Sequence, residues 1–234
     1  MNKLQIKKIN KDWKDAFPEL KTIGSNQLFE IVGPILVGIE LVKSKFQNQY
    51  RPYIVISSLF GSDVATNRGG NQLKNCLNSP DFYFGLVNQK QIQFDIGYDS
   101  TPDKINEAIK EMKKQHLPLE QNITVNELFD FIDSHKSHTS IISDSSGALA
   151  YLMEFKYLLS VYLNNEELKN NVLAEIESDK KFWNMEHFEM WIGDYNDWIE
   201  KLKKTKQSEL LNSINKILSD SKLKKINRFD LKNE

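Results

Sequence analysis

His135 and His138, in His135-Lys136-Ser137-His138, have a spacing that could ligate one metal ion. A zinc site needs further Cys, His or carboxylate ligands, and the single cysteine, Cys76, is remote and has no paired thiol. The plainer reading is the last turn of a helix, where the helix dipole favours positive charge. Ser143-Asp144-Ser145-Ser146-Gly147 gathers hydroxyls just before an apolar helical segment, where free backbone N–H groups could hold an anion or activate a serine. It lacks the Gly-x-Ser-x-Gly frame of a nucleophile elbow, and small polar residues at that place are what helix N-capping requires. Arg68-Gly69-Gly70 could present a guanidinium and two permissive backbone positions to a phosphate, but without any nucleotide-binding glycine pattern it reads as a surface turn. Cys76, beside Leu73 and Leu77, reads as a small buried hydrophobe. No catalytic residue, metal site or cofactor is predicted from these groups.

The most informative stretch is Glu175 to Glu200. It carries Glu175, Glu177, Asp179, Glu186, Glu189, Asp194, Asp197 and Glu200 against only Lys180 and Lys181, together with Phe182, Trp183, Phe188, Trp191, Tyr195 and Trp198. Phe188, Trp191, Ile192, Tyr195, Trp198, Ile199 and Leu202 follow the 3, 4 spacing of one buried helical face. The solvent side is then dominated by carboxylates, which repel nucleic acid and steer basic proteins. Trp183, Glu186, Glu189, Trp191, Asp194, Asp197 and Glu200 are the candidate partner-binding residues, with Trp183 or Trp191 as aromatic anchors if exposed. Glu186-His187-x-Glu189 contains metal-ligand types, but the four-helix carboxylate pattern needs Glu-x-x-His on two helices and no second copy appears.

The elements that must position these residues fall into two halves. Leu28 to Lys43, with Gly33-Pro34 as a break or bulge, and Tyr50 to Phe60 read as two strands that pair, joined by a polar connection over Lys45 to Gln49. Phe82, Phe84 and Leu86 alternate on one side of a turn at Asn88-Gln89-Lys90, and Ile92, Phe94, Ile96 and Tyr98 alternate on the return. Between the two pairs, Gly61 to Pro80 is a long polar loop. Helices are predicted after Thr101-Pro102 with a stop before Pro118, after the capping box Thr124-Val125-Asn126-Glu127, and over Ser145 to Leu163 as the buried central helix. Glu166 to Glu177, Lys180 to Thr205 with a weak point at Gly193, and Ser208 to Leu223 complete the helical half.

Strands first and helices after predict an α+β fold: an N-terminal antiparallel sheet of about four strands, packed against a mostly helical C-terminal half. The chain reads as a single α+β domain over 1–234, strand-rich over 1–100 and helical over 101–234, with 101 as the alternative boundary. With 234 residues, 31 Lys plus Arg against 32 Asp plus Glu, and a net charge of -1, no global basic excess draws the chain to nucleic acid or anionic lipid. No run matches a membrane span of roughly 20 apolar residues, nor does the lysine-bearing start carry a signal-peptide core of about 7 to 15 apolar residues. One cysteine suits a reducing cytoplasm. The leading expectation is a non-enzymatic bacterial protein-interaction protein, most concretely an immunity or antitoxin-like protein that neutralises a basic toxin. The alternative is a hydrolase or transferase with its site between sheet and helices, using residues from Tyr50 to Arg68 and His135 or His138 as base. A basic cluster at Lys222, Lys224, Lys225 and Arg228 is the only candidate contact for RNA, and it lacks interleaved aromatics.

Overall fold

The computed structural model describes residues 3–24, 26–44, 47–60, 80–115, 123–135 and 146–233. Within them six strands of a single seven-stranded sheet precede a helical half and the seventh follows it, so the fold is α+β as the order of patterns predicts. Three long antiparallel strands form the centre: β2 (Gln27–Val32), β3 (Ile35–Lys43) and β4 (Gln49–Ser58). Of the two readings of Gly33-Pro34, the break holds and the bulge does not: it is the turn between two strands, with Val32 opposite Ile35 and Gly33 at φ +54. A Cβ at residue 33 would also stand 2.8 Å from Leu231 Cβ, so both backbone angle and space require glycine. β3 pairs with β4 from Ile35 opposite Ser58 to Lys43 opposite Tyr50, as the pattern predicts.

Each outer edge of this core is shared by two short strands. β5 (Phe82–Gly85) and β6 (Ile96–Gly97) both pair with β4. The predicted turn closes, with Asn88 N–H donating to the Ile92 carbonyl and Phe94 N–H to that of Leu86 around a bridge between Val87 and Gln93, while beyond it each arm makes its ladder with β4. On the other edge β1 (Lys21–Thr22) is antiparallel to β2, and β7 (Arg228–Phe229) is parallel to it. The register places Leu28, Glu30, Val37, Ile56 and Phe82 on one face.

Helices cover that face. Phe155 of α4 (Ser146–Tyr162) meets Phe82 edge-on at 5.0 Å, and Phe131 of α3 (Val125–Ser134) meets Phe84 at 5.0 Å. An unpredicted α1 (Lys3–Ala16) opens the strand-rich half. Its Ile9 and Trp13 lie four apart, Phe17 follows at the same interval, and all three are buried. Trp13 Nε1 donates to the Tyr50 hydroxyl at 3.1 Å, tying this helix to β4. α2 (Pro102–Lys114) starts with proline in its first turn as predicted. α3 has both bonds of its capping box, Glu127 N–H to Thr124 Oγ1 and Thr124 N–H to Glu127 Oε2.

The central α4 is buried, and α5 (Glu166–Asp179), α6 (Met185–Trp191), α7 (Tyr195–Lys204) and α8 (Gln207–Leu218) pack around it. The single helix predicted over Lys180 to Thr205 is three pieces. A 3₁₀ turn at Lys180–Phe182 ends where Trp183 becomes extended, and Gly193, at φ +104, separates α6 from α7. After α8 the chain returns to the sheet: Ile31 N–H donates to the Asn227 carbonyl, Gly33 N–H to that of Phe229, and Val125 N–H to that of Lys232. One hydrophobic cluster runs from Ile9 through the sheet and helices to Leu231. No helix among the described residues is long and apolar enough to cross a membrane.

Candidate partner-binding surface

The turn-and-helix segment from Lys180 to Trp191 is anchored from beneath by aromatic rings. Trp183 stacks on Phe188 at 5.6 Å, and both rings lie within 6.4 Å of Tyr195 and Trp198. Trp198 in turn donates Nε1 to Glu154 Oε2 of the central helix at 3.1 Å. Offset and edge-on rings at these separations add to their area burial. Asn184 caps α6 by accepting from the His187 N–H, and Asp194 caps α7 by accepting from the Asp197 N–H.

Two consequences follow for the predicted anchors. Trp183 is 7% exposed and belongs to the core, so it is not a surface anchor. The 3, 4 stripe also assigns Trp191 to the buried face, yet it is 69% exposed, because the break at Gly193 releases α6 from the register of α7. Met190, next to it in the chain, is 71% exposed, and Phe182, with Lys181 Nζ 4.8 Å from its ring centre, is 77% exposed. Single exposed apolar residues are ordinary, but three large ones within ten positions of the sequence, on a short segment held by an aromatic base, are an unusual concentration.

Glu186, Glu189, Asp194, Asp197 and Glu200 are all exposed. They are not equivalent. Asp194 serves as the α7 cap, and Glu200 faces Lys204 at 3.6 Å in a solvent-exposed pair worth little. Glu186, Glu189 and Asp197 have no ion pair among the described residues. Two further carboxylates of the acidic run bind neighbouring side chains: Glu177, though exposed, accepts from the Tyr195 hydroxyl at 2.9 Å, and the half-buried Glu175 binds Lys156. Burial first, and then Glu177, hold the Tyr195 phenol above its ordinary range.

Lys156 is a feature that periodicity alone misses. It lies 2% exposed on α4 with Nζ 2.8 Å from Asp133 of α3 and 3.0 Å from Glu175 of α5. The ammonium also stands 5.4 Å from the centre of the Phe129 ring. Asp133, Lys156 and Glu175 line a cleft of ≈ 400 Å³ between the three helices. The remaining signal available in sequence was the lysine itself, the only basic residue in a largely apolar helix that also holds Glu154.

Two more carboxyls sit on the sheet. Glu40 hydrogen-bonds Gln27 and Tyr83, and burial raises its pKa despite those bonds. Glu30, wholly buried on β2, has neither carboxyl oxygen hydrogen-bonded among the described residues, and desolvation, aided by the nearby Glu19 charge, pushes its pKa up to about 7.

Of the groups first singled out for metal, nucleophilic or phosphate chemistry, His135 is the one whose side chain lies among the described residues. His135 caps α3: Nδ1 lies 2.8 Å from the Phe131 carbonyl, and its ring packs on Phe84 and Phe131. His138, Arg68-Gly69-Gly70, Cys76 and Ser143 to Ser145 lie outside the described residues, as does most of the Gly61 to Pro80 loop. No group of three or more His, Cys, Asp or Glu able to hold a metal occurs among the described residues. In the basic C-terminal cluster, Leu223 and Ile226 are buried and Arg228 donates to the Leu218 carbonyl, so this segment is built into the fold. No protein-family model, curated protein or solved structure matches this chain.

Proposed function

We propose that this chain is a non-enzymatic bacterial protein-interaction protein that captures a basic protein partner on the α6 surface, in the manner of an immunity or antitoxin-like protein capping a toxin. The observation that carries this reading is the exposure of Met190 and Trp191 on the same short helix as the exposed carboxylates of Glu186 and Glu189. Tryptophan and methionine are enriched at interface centres, and the surrounding charge speeds encounter with a basic partner while disfavouring acidic ones. The aromatic base under α6 lowers the ordering cost of docking, because the segment is already held in place.

The test is affinity capture from native lysate with the full chain, the Trp191→Ala/Met190→Ser variant and the Glu186→Lys/Glu189→Lys variant. A basic protein retained by the parent and lost by both variants supports the reading. Retention of the same partner by both variants, or no basic partner on the parent, refutes it.

A further inference from the structure

We infer that Glu30 and the segment from Asn227 to Lys232 form a pH-sensitive latch: the segment stays seated on β2 while Glu30 holds its proton and is released when Glu30 ionises. Glu30 is the residue of β2 at which the outer edge changes partner, since β1 is paired as far as Phe29 and β7 begins at Ile31. Its side chain is wholly buried, and neither carboxyl oxygen has a hydrogen-bond partner among the described residues. Arg228 lies opposite Ile31, so Asn227, one position earlier, stands beside Glu30 on the same face of the sheet. The Asn227 amide donates instead to the Glu19 carbonyl, at 2.6 Å. A carboxyl so placed is tolerated as the neutral acid, whereas its anion must gain water or a donor.

No cation among the described residues meets that need. Across the ladder Glu30 faces Val37 of β3. Glu19 is half-buried, and its negative charge opposes ionisation. Lys21 of β1, opposite Phe29, and Arg228, opposite Ile31, fall on the other face by alternation, and Arg228 is bonded to the Leu218 carbonyl. Asp230 is exposed and acts on the Tyr162 phenol. In α4, Glu154 accepts from Trp198, and Lys156 is held by Asp133 and Glu175. In α1, Lys11, Lys14 and Asp15 are exposed and Asp12 acts on Tyr50, while Glu127 of α3 is bonded to Thr124.

Which neighbour gives way follows from how each is held. β3 pairs with β2 over six residues, and β7 over two. β1 is equally short, but a turn through Gly24 joins it directly to β2, with Ile23 N–H donating to the Gln27 carbonyl, so its closure is local and entropically cheap. The latch segment has no such tether. It is held by the Ile31, Gly33 and Val125 amides, which donate to the Asn227, Phe229 and Lys232 carbonyls, and by Leu231 against Gly33.

The test is amide hydrogen exchange of the ¹⁵N-labelled full chain, read as protection relative to the intrinsic rate at each pH. The Ile31, Gly33 and Val125 amides should lose about 70-fold of their protection between pH 5 and pH 8, the change required by a carboxyl whose pKa is 4.5 when released and about 7 when seated. They should do so through an opening that low urea barely promotes, whereas the best-protected amides of β3 and β4 follow global unfolding. In Glu30→Gln the pH-dependent loss should vanish. A ¹³C titration of the Glu30 carboxyl in the parent chain needs no substitution and should have its midpoint near pH 7. Protection of the three amides that is constant from pH 5 to pH 8 would overturn the latch. So would a loss shared by the β3 and β4 amides with the same urea dependence, or a Glu30 midpoint below about pH 5.5, near the ordinary carboxyl range.

Discussion

Glu30 makes stability depend on pH in a direction opposite to that of a salt-bridged carboxylate. It is fully buried, unbonded at both oxygens, and its pKa is raised from 4.5 to about 7, chiefly by desolvation and secondarily by Glu19. Between those two values the folded chain keeps a proton that the unfolded chain releases. Stability therefore falls as pH rises through the window, by about 1.4 kcal/mol per pH unit, and a shift of about 2.5 units corresponds to about 3 kcal/mol. Glu30→Gln imitates the protonated side chain at every pH. In urea denaturation the variant should exceed the parent by under about 1 kcal/mol at pH 5 and by about 3 kcal/mol at pH 8, relative to any pH-independent offset. Other titrating groups, Glu40 included, are common to both proteins and cancel in the difference. A stability difference that stays constant between pH 5 and pH 8 would refute the reasoning.

Three other expectations concern the helical half. Asp133→Asn combined with Glu175→Gln strands the buried Lys156 ammonium and should cost about 3 to 5 kcal/mol, measured by chemical denaturation; a cost near that of an ordinary surface change would show that Lys156 reaches water freely. Trp183→Ala removes a ring from the core and should cost about 3 to 5 kcal/mol. Trp191→Ala should change stability by no more than about 0.5 kcal/mol, so equal losses at the two tryptophans would contradict their assigned positions. Gly193→Ala meets no atom within 4 Å, so its whole effect is backbone strain at φ +104, expected at about 1 to 3 kcal/mol in thermal unfolding. An unchanged melting temperature would mean that the α6–α7 break does not need that angle.

The parts of the fold legible in sequence were those written locally. Thr124 and Glu127 announce their capping box within four residues, Pro102 marks the start of its helix, and the apolar run after Gly147 can only be a buried helix. What failed depended on distant partners. Gly33-Pro34 has the same residues whether it is a bulge or a turn, and only the contact with Leu231 and the pairing of Val32 with Ile35 decide it. The alternating arms around Asn88 to Lys90 look self-sufficient, but β4 offered both a longer partner. Ile9, Trp13 and Phe17 carry a helical interval that lysines between them obscure. At the candidate surface, composition located the acidic aromatic segment, while its orientation was hidden: the buried Trp183 and the exposed Trp191 are the same residue type eight positions apart, sorted by one glycine. Glu30 was invisible as special because charged residues are normally read as solvent-facing, and Lys156, although it sits in a helix read as buried, gave no sign of its partners, which only the neighbouring helices reveal.

The strand completed by Arg228 and Phe229 also has a consequence in time. Asn227 Nδ2 donates to the Glu19 carbonyl 208 positions earlier, and the same tail supplies the acceptors for the Ile31 and Gly33 N–H groups. At about 5 to 20 residues per second, synthesis leaves that stretch of β2 without its acceptors for about 10 to 40 s. Throughout that interval the newborn sheet presents an open border next to a wholly apolar run, the condition under which nascent chains pair with one another. Closure of this border is therefore a late event of biogenesis, placed in the hands of the last residues to emerge among those described.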